Sequence, residues 1–169
     1  ATFAMSEALT IILKGKDPSR ATKQVSLSEL GSIRLDKDER NKMLKTIPRS
    51  SVLGFLIGVL PGAGATIASF LAYGMERNYV SEEEKQKFGK GSVHGLAAPE
   101  TANNAACSGS FVPLLTLGIP GSGTTAVMLG ALLGFGIQPG PRLYMTNPEI
   151  FWSVIMSMYI GMVILLILN

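Results

Sequence analysis

The sequence predicts an all-α integral membrane protein, a polytopic helical bundle whose Pro/Gly-broken or re-entrant helices come from an internal, inverted repeat. Three observations carry this. Charged residues are 16% of the 169 and hydrophobic residues 47%, whereas a soluble domain carries about 25% charged. The charge is unevenly spread: residues 50–75, 101–141 and 150–169 hold no Asp, Glu, Lys or Arg, and a helix crossing the hydrocarbon core needs roughly 20 apolar residues. Inside the first two of those runs the element Pro-Gly-x-Gly-x-Thr recurs, at 61–66 and 120–125. This composition excludes a soluble enzyme, a disordered tail and a nucleic-acid binder.

The elements follow in order. Residues 1–13 read as the end of a preceding transmembrane helix, and the whole chain as a piece of a longer protein. Residues 14–49 form a polar loop holding ten of the 15 basic residues. Such clustering beside a membrane segment marks the cytoplasmic side and accounts for the net charge of +3 without a polyanionic partner. Ser26 with Glu29, and Asp36, are helix starts there; the second helix runs to Lys45 and is ended by Pro48. Residues 50–75 are the first broken or re-entrant membrane segment. Residues 76–100 are a polar connecting loop in which Ser81 and Glu84 open a short helix ending near Gly89. Residues 101–141 are the second broken segment, 142–149 a short loop, and 150–169 a transmembrane helix with Tyr144, Phe151 and Trp152 as interfacial anchors.

The uncharged runs differ in kind. Residues 150–168 carry only Ser153, Ser157 and Tyr159 as polar side chains, which suits lipid. Residues 101–125 carry nine Asn, Ser and Thr side chains, from Thr101 to Thr125. Lipid cannot satisfy such groups, so this run is expected inside protein or along an aqueous cavity.

The repeat aligns Leu56 with Leu115, Pro61 with Pro120, Gly62 with Gly121, Gly64 with Gly123 and Thr66 with Thr125. Two readings stand: ordinary helix kinks, or two discontinuous membrane helices. Proline removes an N–H and glycine lets the backbone leave helical dihedrals. A break frees carbonyls at the end of one half-helix, which suit a cation, and N–H groups at the start of the next, which suit an anion. Thr66, Ser122, Thr124 and Thr125 add hydroxyls at the same level. Paired broken helices point to a transporter binding site, and the second reading is preferred. Gly118-x4-Gly123-Thr124-Thr125 lacks the lysine of a phosphate loop, and Gly62-x-Gly64 lacks the third glycine of a dinucleotide loop. Gly54-x3-Gly58 and Gly130-x3-Gly134 read as helix-packing patterns.

Among single residues, Cys107 reads as a buried structural thiol and His94 as a solvated loop histidine rather than a proton site. Glu100, beside Asn103 and Asn104 at the mouth of the longest uncharged run, either holds Na⁺ or a proton or caps the helix after Pro99.

The segments GVLPGAGATIASFLAYGMER (58–77) and GKGSVHGLAAPETANNAACSGSFVPLLTLGIPGSGTTAVMLGALL (89–133) resemble the large permease subunit of tripartite tricarboxylate transporters. The similarity runs from about Gly54 to Pro141. It implies a multi-pass protein of the bacterial inner (plasma) membrane, longer than this chain. It further implies secondary uptake of a carboxylate such as citrate, driven by H⁺ or Na⁺. A small membrane subunit and a periplasmic solute-binding protein would be its partners, with no other cofactor and no enzymatic activity. The family's Pro-Gly loops fall on Pro61–Thr66 and Pro120–Thr125, and its Ala-Pro-Glu-x-Ala-Asn-Asn stretch on Ala98–Asn104. The expected carboxylate site is therefore Pro61, Gly62, Gly64 and Thr66 with Pro120, Gly121, Ser122, Gly123, Thr124 and Thr125. Asn103 and Asn104 line the same cavity, and Glu100 is the candidate for ion coupling. A channel-like pore with Gly-rich selectivity loops, or a membrane scaffold subunit without a site, are the alternatives.

Overall fold

The computed structural model describes residues 35–168, together with Met5 and Leu9. The rest of the helix end expected over 1–13 and the Ser26–Glu29 helix start lie outside the described residues. Every regular element in the described unit, which begins at Asp36, is helical.

Helix α1 spans Lys37–Val59. Asp36 caps it from an extended conformation, and the Asp36 amide donates to Glu39 Oε2 at 3.0 Å. Asp38 and Glu39 place negative charge at the positive end of the helix dipole. The expectation that Pro48 ends this helix is corrected, because α1 continues through it for 11 further residues. Proline costs one backbone hydrogen bond and a local clash. The buried stripe Thr46, Ser50, Gly54, Gly58 runs unbroken past it and recovers that loss by packing.

The chain breaks at Leu60–Ala63 and restarts as α2, Gly64–Tyr79. Gly62 (φ 81°) and Gly64 (φ 68°) both occupy the left-handed region, where a side chain would be strained. Helix α2 folds back antiparallel to α1, since Thr46 Oγ1 donates to Glu76 Oε1 at 2.8 Å across 30 residues. The hairpin therefore returns residues 76–92 to the end of α1 from which the chain set out. There Lys42 Nζ lies 3.1 Å from Glu84 Oε1. Helix α3 is only Glu82–Lys85, capped by Ser81; it stops short of Gly89.

Helix α4, Val93–Gly109, is capped by Ser92, whose Oγ accepts from the Gly95 amide at 3.1 Å. It begins inside what reads in sequence as a loop and runs through Pro99, so Glu100 lies within the helix and does not cap it. The buried stripe His94, Ala98, Ala102, Ala106 faces α1 in parallel register. Thr46 meets His94, Gly54 meets Ala102 and Gly58 meets Ala106. A Cβ on either glycine would overlap the carbonyl oxygen of its partner alanine, so the two backbones touch, as small-x3-small patterns permit. Ala68 and Ala72 of α2 complete the core.

Helix α5, Phe111–Leu117, ends at Gly118, and after the second break α6 spans Gly123–Gly134. The connection beyond α6 returns to α5, with the Gly140 amide donating to the Leu115 carbonyl at 3.2 Å. Gly130 and Gly134, expected to pack, meet nothing among the described residues. A short α7 (Leu143–Thr146) leads into α8, Pro148–Leu168. Among the described residues, α8 is the one helix long and apolar enough to cross a membrane. Phe151 packs edge-on against Trp152 and Tyr144 at its start.

The seam between α1, α2 and α4 is thus built mainly of Ala, Gly, Ser and Thr, while Leu114, Leu115, Leu132 and Leu143 are buried farther along the chain and Phe55, Leu56, Phe70, Leu71 and nearly all of α8 face outward. Packing small residues inward and large apolar ones outward is the arrangement of helices in lipid.

Candidate functional site

Both Pro-Gly breaks open onto one cavity of about 460 Å³, a size typical of small-molecule pockets. The first loop contributes Gly62, Gly64 and Thr66, and the second contributes Pro120 through Thr125. Cys107, Ser110 and Phe111, from the end of α4 and the start of α5, form the wall between them. No charged side chain lines it among the described residues. The first turns of α2 and α6 lie at its edge, and the first N–H groups of a helix have no intrahelical partner.

The two loops share sequence but not backbone. Gly62 and Gly64 adopt positive φ, whereas Gly121 and Gly123 do not. Gly121 is required by proximity: a Cβ there would stand 3.0 Å from Ser110 Cβ and 3.3 Å from the Gly58 carbonyl oxygen. The two threonines also differ. Thr66 is exposed. Thr125 is 2% exposed, and its hydroxyl serves the start of α6, accepting from the Ser122 amide at 2.8 Å and donating to the Ser122 carbonyl at 3.0 Å. Ser122 Oγ in turn accepts from the Thr125 amide at 3.3 Å. The N–H groups left open on this side are those of Gly123 and Thr124.

The other predicted residues stand elsewhere. Pro61 does not line the cavity. Asn103 borders an adjoining hollow with Thr66, Ser69 and Pro99, and its Oδ1 lies 3.8 Å from Cys107 Sγ. Asn104 Nδ2 donates to the carbonyl of Glu100 at 3.1 Å, and the Glu100 side chain is exposed. Cys107 is exposed at the cavity rather than buried, because it lies on the face of α4 opposite the alanine stripe. Its i, i+4 spacing from Asn103 is the signal that places it there.

A second polar cluster lies at the far end of the three helices. Glu76 is completely buried. Its Oε1 receives Arg49 Nη2 at 2.6 Å and Thr46 Oγ1 at 2.8 Å, with His94 Nδ1 at 3.1 Å. His94 Nδ1 also lies 2.7 Å from Thr46 Oγ1. The solvated-loop reading of His94 is therefore corrected: it is buried in the first turn of α4. Glu76 escapes notice in the sequence because it is simply the first charge after an uncharged run. The four-residue stripes ending on Thr46, Glu76 and His94 are the signal that brings them together.

Helices packed through small residues, apolar outside and broken in pairs around a neutral cavity, are the features of a helical membrane protein. The chain belongs to the tripartite tricarboxylate transporter TctA family, whose model matches residues 1–169. Two relatives from Agrobacterium vitis are similar to it. One is an uncharacterized 52.8 kDa protein in the TAR-I ttuC' 3' region, 42% identical over 147 residues, or 87% of this chain and 29% of the relative. The other is an uncharacterized protein in the TAR-II ttuC' 3' region, 48% identical over 116 residues, or 69% of this chain and 47% of the relative. The chain thus spans less than half the length of either. No solved structure matches it.

Proposed function

We propose that this chain forms the carboxylate-binding portion of a secondary-transporter permease that takes up citrate-like carboxylates across the bacterial inner membrane. The single observation that carries the reading is the meeting of both Pro-Gly-x-Gly-x-Thr loops at one cavity lined by amide and hydroxyl donors and, among the described residues, by no carboxylate. Carboxylate oxygens accept hydrogen bonds from the open N–H groups at the starts of α2 and α6, where both helix dipoles are positive. Thr66 and Thr124 hydroxyls supplement them. Membership of a transporter family supports transport rather than enzymatic catalysis. In this reading a small membrane subunit and a periplasmic binding protein complete the assembly. The hairpin α1–α2 enters the bilayer from the cytoplasmic side, and an H⁺ or Na⁺ gradient drives uptake.

Gly123→Val in the complete transporter tests the site. Among the described residues nothing lies within 4 Å of a Cβ at Gly123, and its φ is not positive, so the substitution fits the fold but fills the cavity. Membrane insertion and melting temperature should be unchanged and citrate uptake abolished. Full uptake in that variant would refute the assignment.

A further inference from the structure

Glu76, His94, Arg49 and Thr46 are separated from the cavity by most of the length of α1, about 20 Å from Thr46 to Val59 at 1.5 Å per residue. Nothing in the carboxylate site requires them, and burying a carboxylate is costly. The cluster nonetheless holds all three core helices at once: Thr46 and Arg49 from α1, Glu76 from α2 and His94 from α4. Glu76 Oε2 is enclosed with no hydrogen-bond partner among the described residues, so the cluster is not optimised as a static latch.

The contacts favour one placement of the hydrogens. With Glu76 ionised beside Arg49, His94 Nδ1 faces oxygen on both of its contacts and must carry a hydrogen; a bare nitrogen there would repel the carboxylate. Thr46 Oγ1 accepts that hydrogen and passes its own to Glu76 Oε1 or to the Lys42 carbonyl, 3.0 Å away. The neutral imidazole then has Nε2 free to bind one proton, giving an imidazolium against the carboxylate. No other bond changes, and release of the proton restores the starting state. The charged neighbours from each packed element are few. On α1, Arg49 contacts Glu76 and lies over the Tyr79 ring of α2 at 5.3 Å. Lys42, one turn from Thr46, is held by Asp38 and by Glu84 of α3.

We propose that Glu76 and His94, braced by Arg49 and Thr46, form the proton-binding site through which a proton gradient drives carboxylate transport. The inference rests on the transporter reading above and moves ion coupling away from Glu100. Proton binding reaches the cavity through the hairpin itself, because α1 and α2 carry the Gly62–Thr66 loop between them and α4 carries Cys107.

The test uses the full-length permease with its membrane subunit and binding protein in proteoliposomes clamped at zero potential. Two readouts are taken: accumulation of labelled citrate under an inward gradient of one pH unit, and citrate counterflow without a gradient. For wild type, one proton per citrate permits up to about tenfold accumulation, the ratio carried by one pH unit. Glu76→Gln and His94→Gln should lose this accumulation and keep counterflow. If either substitution destabilises the protein, Arg49→Met/Glu76→Gln, which leaves no unpaired charge, is measured in the same way. Parallel loss of counterflow and melting temperature in every variant would make the cluster a structural latch and overturn the proposal. Uptake by wild type driven by Na⁺ and indifferent to pH would overturn it while leaving the transporter reading intact. Absence of counterflow in wild type would overturn the transporter reading, and the proposal with it.

Discussion

Gly58 is where the fold and the cavity meet, and Gly58→Ala perturbs both. In α1 it lies against Ala106 of α4, and an added Cβ would overlap the carbonyl oxygen, Cα and carbonyl carbon of that residue. These are backbone atoms of a packed helix and cannot turn aside as a side-chain tip would. Relief requires α1 and α4 to separate by about an ångström, and overpacking of this kind costs about 1–3 kcal/mol. That is roughly a 5- to 150-fold fall in the folded-to-unfolded ratio, at 1.36 kcal/mol per factor of ten. The Gly58 carbonyl also borders Gly121, and Gly109 packs on Phe55 and Gly58, so the separation shifts the first loop against the second. The assay pairs thermal melting of the purified full-length permease with citrate uptake. Gly74→Ala is the control: nothing among the described residues approaches a Cβ there, and alanine is the better helix former by about 1 kcal/mol. Gly58→Ala should lower both readouts while Gly74→Ala lowers neither. Wild-type melting and uptake in Gly58→Ala would refute the backbone contact and the coupling of the seam to the cavity.

Three further outcomes follow from the same contacts. Arg49→Met leaves the buried Glu76 carboxylate without its cation and should destabilise the permease by about 3 kcal/mol, the lower end for breaking such a pair because Arg49 is partly exposed. Adding Glu76→Gln should restore most of the loss in a double-mutant melting cycle. The contact between α1 and α3 should be steady across neutral pH and loosen at both extremes, as read by hydrogen exchange at residues 80–92. Lys87 and then Lys42 hold the Glu84 carboxyl below its ordinary range, so its contribution is present above about pH 4.5 and is lost as pH falls through the depressed value. Asp38 and then Glu84 hold the Lys42 ammonium above its ordinary range, so its share is present below about pH 10.5 and is lost as pH rises through the elevated value. Cys107, exposed at the cavity, should react readily with a water-soluble maleimide in a permease stripped of its other cysteines. A Cys107 that reacts only after denaturation would contradict its placement.

Helix breaks and the helix starts at Asp36 and Ser81 were legible in the sequence, whereas the ends expected at Pro48 and near Gly89 were not. Proline with two glycines has no way to continue an α-helix at Leu60–Ala63 or Gly118–Ser122, whatever surrounds it. Pro48 and Pro99 are single prolines inside longer buried stripes, and packing on either side carries the helix through them. The burial of His94 depended on partners 18 and 48 residues away, which no local pattern reports. The polar residues of 101–125 were expected to need enclosure. Several satisfy themselves instead by donating to the carbonyl four residues back, as Thr116 does to Val112 at 2.6 Å and Ser108 to Asn104 at 3.4 Å. The repeat pointed to two loops that meet at one cavity, yet identical residues in them do different work. Gly62 and Gly64 supply backbone conformation, and Gly121 supplies clearance.

Substrate protection of Cys107 bears most directly on the central claim that the two Pro-Gly loops hold a carboxylate between them. Maleimide labelling of Cys107 in the reconstituted single-cysteine permease should slow as citrate is added and stay unchanged with chloride at equal ionic strength. The same protection should disappear in Gly123→Val. Labelling indifferent to every transported carboxylate would contradict a site at this cavity.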